Sequence, residues 1–214
     1  MTDAGGVRFA WLARLFGQAL AAYARFVAAT CRVSGPVTQD QVVLAFWHEY
    51  NLAALIVSMK RRGELLHASF STQGFRGVVI TTLLESTRAN IRVVPLPPEG
   101  DRAAARDFAL RMAALAREGR SLVVTPDGPF GPYRVAKPGA LIVARASGLP
   151  VQPWAVQVRP GLRLRWRWDR QLLPLPFCRM RVVEAPQLGI GERERLSPRV
   201  AELQATLVRA AAHV

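Results

Sequence analysis

The sequence predicts one α/β domain around a mixed, mostly parallel sheet, with helices on both faces and an N-terminal helix appended. Short β-branched runs alternate with amphipathic segments along the middle of the chain, and such strand–helix–strand units give parallel strands through right-handed crossovers. The chain has 214 residues, half of them hydrophobic, which suits one domain with a sizeable core. We divide it into an N-terminal helix, residues 1–35, and the α/β domain, residues 36–214.

The N-terminal segment Val7–Val33 is apolar and helix-friendly but is interrupted by arginines. These charges argue against a transmembrane span, and no cleavage site marks a secretory signal. One predicted face collects large side chains at three- and four-residue steps: Trp11, Leu15, Phe16, Leu20, Tyr23 and Val27. The helix either packs on its own domain or lies in a bilayer interface, and both interpretations can hold along different parts of it.

The remaining elements follow from periodicity and from helix start and stop signals. Strands are predicted at Gln41–Trp47, Glu64–Thr72, Ile91–Pro95, Leu122–Val124, Val151–Val158, Leu162–Asp169 and Arg179–Glu184. Helices are predicted at Asn51–Arg62, Gly77–Ser86, Asp101–Glu118, Pro138–Ser147 and Ser197–Ala211, with Asp101 and Ser197 as caps. In Leu162–Asp169, apolar residues alternate with arginines, so this strand presents either a solvated edge or a surface for anionic lipid.

Charge is the outlying property, because the formal net charge is +14, with 27 Arg against 2 Lys. Such an excess implies attraction to an anionic surface or ligand, such as membrane phospholipid, a phosphorylated acceptor or nucleic acid. The two cysteines, Cys31 and Cys178, lie far apart in sequence, and the three histidines have no metal-ligand spacing. We therefore expect no metal site and a reducing compartment.

The loop Thr125–Pro132, with the sequence TPDGPFGP, follows the predicted strand Leu122–Val124. Two glycines and three prolines fix a tight loop there, and it holds one carboxylate, Asp127, with Arg134 and Lys137 just behind it. Ligands of open α/β sheets bind outside the carboxyl ends of the strands. Spacing alone leaves an ordinary turn and a functional loop equally open.

His48 ends the predicted strand Gln41–Trp47 and precedes the helix that starts at Asn51. A strand-to-helix junction presents its side chains to a cleft, although a lone histidine is more often a structural residue. His67 falls in the middle of a predicted strand and is interpreted as a packing residue.

Two of these stretches resemble one known family. TPDGPFGP resembles the signature loop of the DUF374 branch of the lysophospholipid acyltransferase-like proteins, which stands where the wider glycerolipid acyltransferases carry an EGT-type loop. FWHEYNLAAL resembles the family's first block, and the similarity runs from about Val42 to Pro186. The resemblance implies transfer of an acyl group from acyl-CoA or acyl-carrier protein to a hydroxyl or amine of a lipid-like acceptor, with no other cofactor.

The resemblance also implies residue roles. His48 would be the general base, oriented by Asp127 or by the adjacent Glu49, of which we favour Asp127. Backbone N–H groups of the loop Asp127–Gly131 would stabilise the oxyanion. Neither cysteine lies near a motif, so transfer would be direct. Substrate contacts are predicted for Ser71, Arg92, Thr125, Pro126, Gly128, Pro129, Gly131, Arg134 and Lys137.

The sequence departs from the family pattern in two places. Ala53 stands where the wider family has the aspartate five residues after the histidine, although the DUF374 branch generally lacks that aspartate too. Residues 95–100, PLPPEG, replace an Arg-Gly-Ser-Ser-like loop that would hold the acceptor, and Arg92 and Arg102 flank this segment. The alternative function is therefore a catalytically degenerate, lipid-binding relative.

Location and partners follow from the same features. The basic charge, the arginine-broken helix and the water-insoluble acceptors implied by the resemblance predict a cytoplasmic protein, peripheral on the inner face of the cell membrane. The expected partners are an acyl thioester donor, a lipid-like acceptor and an anionic membrane surface. Nucleic acid would also suit the charge and the RWRW segment, residues 165–168, but we do not expect it.

Overall fold

The fold is described from a computed structural model covering residues 4–61, 67–71, 74–87, 89–96 and 102–212. The predicted cap Asp101 and most of the segment 95–100 lie outside these residues. For Ser71 and Arg102, only the backbone position is described.

The described residues form one seven-stranded sheet. Its order is β1-β7-β6-β2-β5-β3-β4, and every neighbouring pair is parallel except the antiparallel pair β6 and β7. The predicted mixed, mostly parallel sheet is therefore confirmed. The strands are β1 Arg32–Ser34, β2 Val43–Ala45, β3 His67–Ser71, β4 Ile91–Pro95, β5 Ser121–Val124, β6 Val151–Arg163 and β7 Leu172–Glu184.

The six described helices are α1 Ala4–Thr30, α2 Asn51–Lys60, α3 Gly74–Ser86, α4 Arg102–Arg117, α5 Gly139–Ser147 and α6 Leu196–Ala212. The crossovers through α2 and α3 run towards β4, whereas those through α4 and α5 run back towards β6. Right-handed crossovers therefore place these two pairs on opposite faces of the sheet. Helix α1 packs on α2 and α3, and α6 packs on α5 and β6, so the predicted two-sided cover is confirmed.

Helix α1 packs through its small residues rather than through its large ones. The buried stripe is Ala13, Gly17, Ala21, Ala24, Val27 and Ala28. A Cβ added at Gly17 would lie 2.6 Å from Thr82 Cβ, so α1 and α3 approach closely there. Of the predicted apolar face, Val27 is buried and Tyr23 half-buried, but the four large residues closer to the N-terminus are exposed, so only the C-terminal part of that face packs on the domain.

The predicted helix Val7–Val33 ends too late. Helix α1 stops at Thr30, because residues 32–34 pair with β7 as a parallel strand, with Arg32 opposite Arg179. This register brings Cys31 and Cys178 together as buried free thiols. Burial, and then the charge of the neighbouring Cys31, raise the pKa of Cys178 to about 11.

The predicted strand Leu162–Asp169 is wrong, because β6 ends at Arg163 and residues 164–171 form a turn. The amide of Leu164 donates to the carbonyl of Gln171 at 2.9 Å and closes the turn. Inside it, Arg167 donates two 2.8 Å hydrogen bonds to the buried carboxylate of Asp169. This local ion pair stabilises a compact turn where the alternating pattern indicated an extended chain.

Other element boundaries shift without changing the fold. Strand β2 is shorter than predicted, α3 begins at Gly74 rather than Gly77, and β6 and β7 each extend to 13 residues. Helix α6 begins at Leu196, so Ser197 lies inside its first turn rather than at the cap. The predicted strand Glu64–Thr72 is described only from His67 to Ser71, as β3; His67 is buried, and its Nδ1 lies 3.4 Å from Ser58 Oγ.

Candidate active site

The two stretches that carry the family resemblance meet at one edge of the sheet. Strands β2 and β5 are parallel neighbours, with Ala45 opposite Val124. Their carboxyl ends therefore lead, side by side, into His48 and into the loop 125–132. His48 opens a single 3-10 turn, His48–Tyr50, that runs into α2. This is the edge of an α/β sheet where ligands bind.

Asp127 holds His48 through both its ring and its backbone. Asp127 Oδ1 lies 3.3 Å from His48 Nδ1 and accepts the His48 amide at 3.0 Å. Its Oδ2 accepts the Arg134 amide at 3.3 Å, and the carboxylate is fully buried. The His48 side chain is 17% exposed. A hydrogen bond from Nδ1–H to Asp127 leaves the Nε2 lone pair free to accept a proton.

Gly128 is required by the position of the imidazole. A Cβ at this position would lie 2.2 Å from His48 Cε1 and 2.9 Å from Nδ1. Any side chain there would displace the ring, so the glycine of the PDGP sequence serves a close backbone approach.

Trp168, from the turn 164–171, also packs on the histidine, with ring centroids 5.1 Å apart. It reaches the loop as well, because a Cβ added at Gly131 would lie 2.9 Å from Trp168 Cε3. The sequence analysis missed Trp168, since it placed this residue on an extended strand. Histidine, loop and turn thus form one packed unit.

Hydrogen bonds within the loop reduce the number of backbone amides that are available as the predicted oxyanion donors. The Gly128 amide donates to the Thr125 carbonyl and the Gly131 amide to the Asp127 carbonyl, both at 3.0 Å. Pro129 has no N–H. In the loop Asp127–Gly131, the amides of Asp127 and Phe130 are then the remaining candidates. Farther along, the Lys137 amide donates to the Pro126 carbonyl at 2.8 Å, which ties the end of the segment back to its start.

Glu49 contacts a different set of residues from His48. Its fully buried carboxylate accepts Arg134 Nε at 2.5 Å and the Tyr133 hydroxyl at 3.1 Å, and it pairs with Arg163. Its backbone carbonyl accepts Gln171 Nε2 at 2.8 Å. Two guanidiniums compensate the buried charge, which would be costly if it were unpaired. Of the two carboxylates predicted to orient the imidazole, Asp127 is the one that contacts it.

The other predicted substrate contacts divide by location. Thr125, Pro126, Gly128, Pro129, Gly131 and Arg134 all belong to the loop or adjoin it. Ser71 ends β3, the strand next to β5. Arg92 is exposed on β4, the edge strand two positions from β5. The structure therefore gathers the loop residues around His48 and leaves Arg92 on a more distant strand.

Sequence reasoning missed the contribution of the turn 164–171 and the residues beside it. Arg163, Trp168 and Gln171 all touch His48 or Glu49. The available signal was WRWD itself, because two tryptophans beside an aspartate are unusual on a solvated edge. Burial raises the pKa of Asp169, but the hydrogen bonds and charge of Arg167 bring it below its usual value.

Comparisons with known proteins add a distant similarity. No family profile matches this chain. An uncharacterized protein of Rickettsia prowazekii (strain Madrid E) is 23% identical over 154 residues, which cover 72% of this chain and 66% of that protein. The match therefore spans slightly less than two thirds of the relative's own length. Similarity at this level assigns neither a family nor an activity to the chain.

Proposed function

We propose that this protein transfers a fatty acyl group from an acyl thioester, carried by coenzyme A or by acyl-carrier protein, to a hydroxyl or amine of a lipid-like acceptor. The observation that carries the proposal is the contact between His48 and Asp127 at the carboxyl ends of two adjacent parallel strands. It joins the two stretches that resemble the DUF374 branch of the acyltransferases.

In the proposed reaction, His48 Nε2 takes the acceptor's proton while the acceptor oxygen or nitrogen attacks the thioester carbonyl carbon. The new C–O or C–N bond forms, the C–S bond breaks, and the departing thiolate takes the proton from the imidazolium. The amides of Asp127 and Phe130 are the candidate donors to the transient oxyanion. Both cysteines are buried, Cys31 just before β1 and Cys178 on β7, so we propose direct transfer rather than an acyl-cysteine intermediate.

We further propose that the protein works at the cytoplasmic face of the membrane, with α1 lying in the bilayer interface. Among the described helices, none has the length and hydropathy needed to span a bilayer. However, α1 exposes Phe9, Trp11, Leu15, Phe16, Leu20 and Phe26. Phe75 and Phe177 extend this surface through edge-on ring contacts, with centroids 6.5 and 6.4 Å from Phe16 and Phe26. Contiguous exposed apolar surface of this kind marks interaction sites.

A donor and acceptor screen tests the function. The purified full chain is incubated with acyl-CoA or acyl-carrier protein of several chain lengths and a lipid extract, and products are identified by mass spectrometry. Acylated lipid formed in step with released thiol supports the proposal. Vesicle binding without thioester consumption under any donor would instead favour the degenerate, lipid-binding alternative.

A further inference from the structure

A cluster of arginines lies on or next to the turn 164–171, which contacts His48 through Trp168. Arg163 ends β6, and Arg165 and Arg170 belong to the turn 164–171, whose Trp168 packs on the imidazole. Arg170 lies over the Tyr133 ring, 4.6 Å from its centroid, and the Tyr133 hydroxyl reaches Glu49. Arg163 donates to the same Tyr133 hydroxyl at 3.4 Å, so Arg163 and Arg170 both contact Tyr133. Arg165 follows Arg163 by two residues, and burial and then the charges of Arg165 and Arg170 lower the pKa of Arg163.

The positive charge of this cluster is only partly compensated. Glu49 pairs with Arg134 and Arg163, while Arg167 is occupied by Asp169. Within the described parts of the chain, Arg165 and Arg170 have no carboxylate partner. Counting the guanidiniums of residues 134, 163, 165 and 170 against the carboxylates of Glu49 and Asp127 leaves two positive charges in excess.

Backbone conformation adds an independent observation. Arg134 and Arg170 both adopt the left-handed region, with φ of 54° and 45°. This region is unfavourable for residues with long side chains. Such strain is kept where the surroundings impose it, and it concentrates at ligand clamps and active sites. Here it occurs at two arginines whose guanidiniums both lie over the same tyrosine ring.

We propose that Arg163, Arg165 and Arg170 form a phosphate-binding site that holds a phosphorylated substrate with its reacting end at His48. This inference rests on the proposed function for the identity of that substrate. Guanidinium groups bind phosphate oxygens through paired, charge-assisted hydrogen bonds, and two uncompensated charges suit a phosphate monoester or diester. The phosphate belongs either to the phosphopantetheine arm shared by both thioester donors or to a phosphorylated acceptor.

Binding of matched ligand pairs tests the site without requiring turnover. The full chain is titrated with phosphopantetheine and with pantetheine, and separately with glycerol phosphate and with glycerol, using calorimetry and the fluorescence of Trp166 and Trp168. The members of each pair differ only in the phosphate. The pair that shows a preference for its phosphorylated member identifies the donor or the acceptor as the source.

The variants are Arg165→Gln and Arg170→Gln, with Arg181→Gln as the control. All three residues are exposed, and Arg181 lies on β7, away from the turn. Arg163 is left unchanged because it compensates Glu49. Each turn variant is expected to lose roughly 10-fold or more of the affinity for the phosphorylated ligand and none for its neutral twin, while the control keeps both.

Two results would overturn the phosphate site: a wild-type protein without preference for either phosphorylated ligand, or an equal preference in wild type and in both turn variants. These outcomes are separable from failure of the proposed function. Acyl transfer without phosphate preference would leave the function standing and remove the site. Preference for a phosphorylated ligand without acyl transfer would leave the phosphate site standing and remove the proposed function.

Discussion

At the residue scale, Asp127 contacts both the imidazole of His48 and two backbone amides. Its Oδ1 contacts the His48 ring and amide, and its Oδ2 accepts the Arg134 amide across the loop. A single buried carboxylate therefore both orients the proposed base and connects the loop to the start of α2.

Asp127→Asn should accordingly lower both activity and stability. The amide side chain carries no charge to stabilise an imidazolium, and one of its two ends presents N–H groups where Oδ1 or Oδ2 now accepts a hydrogen bond. We expect a rate loss of roughly 10²-fold or more and a loss of about 1–2 kcal/mol in unfolding free energy. Turnover and urea unfolding measure both quantities, with the exposed Asp107→Asn as control. Wild-type values for both would remove Asp127 from either task.

Gly128→Ala should disturb the imidazole directly, because the new Cβ would lie 2.2 Å from His48 Cε1. Overpacking of this kind costs about 1–3 kcal/mol unless the ring moves, and a moved ring loses its bond to Asp127. Activity should therefore fall well below that of Gly139→Ala, a control position with open space around its Cβ. Equal activity in these two variants would show that the ring does not need this glycine.

At the scale of elements, the two faces of α1 have different surroundings. Its small residues pack on α3, and its large residues form an exposed apolar surface. Deleting the helix would expose the surface of α3 that it covers, as well as remove the exposed apolar surface. Substitution on the exposed face is therefore the cleaner test of membrane binding.

Replacing Trp11 and Phe16 together by Gln should weaken binding to anionic vesicles by about tenfold or more, because each aromatic side chain would otherwise leave water. Their exposed fractions, 64% and 52%, match the 57% of Leu110, so Leu110→Gln on α4 is the control. Vesicle sedimentation at low and high salt measures the effect. A wild-type chain that ignores anionic vesicles, or a double variant that binds them as well as wild type does, would contradict the membrane proposal.

At the scale of the whole molecule, local patterns predicted the framework, whereas tertiary contacts determined the site. The strand Leu122–Val124 was predictable because a short apolar run bounded by turn residues indicates a buried strand. The turn 164–171 was not predictable, because the alternation of apolar and charged residues in WRWD is also typical of a strand. Its conformation depends on the Arg167–Asp169 pair and on the distant contacts of Trp168 and Gln171 with His48 and Glu49.

The sequence left the packing of α1 open for a related reason. Large apolar residues usually form the packing face of a helix, but here Gly17 and the alanines allow α3 to approach closely. Periodicity identifies a helix, but it does not show which of two apolar faces a neighbour will cover. The contact of His48 with Asp127 was one of the two carboxylate contacts that the family resemblance implied for this histidine, and the parallel neighbours β2 and β5 bring the two residues together.

Global stability should depend on pH through His67. Burial, and then the charge of Arg120, lower the pKa of His67 to about 4, from 6.5. The unfolded chain therefore binds the proton first, so stability is lost as the pH falls from about 6.5 to about 4, by about 3 kcal/mol. Urea unfolding across this range measures the loss. The unfolding free energy of His67→Gln should change less with pH over the same range. An identical slope in both proteins would contradict the assignment of this pH dependence to His67.

The central claim is that His48, held by Asp127, is the general base of an acyl transfer. The most direct measurement is the turnover of His48→Ala with the donor and acceptor that the screen identifies, in a protein whose folding is verified by circular dichroism. Loss of the base should reduce turnover by roughly 10²–10⁴-fold while the melting temperature stays close to that of wild type. Turnover within a few-fold of wild type in the folded variant would contradict the claim.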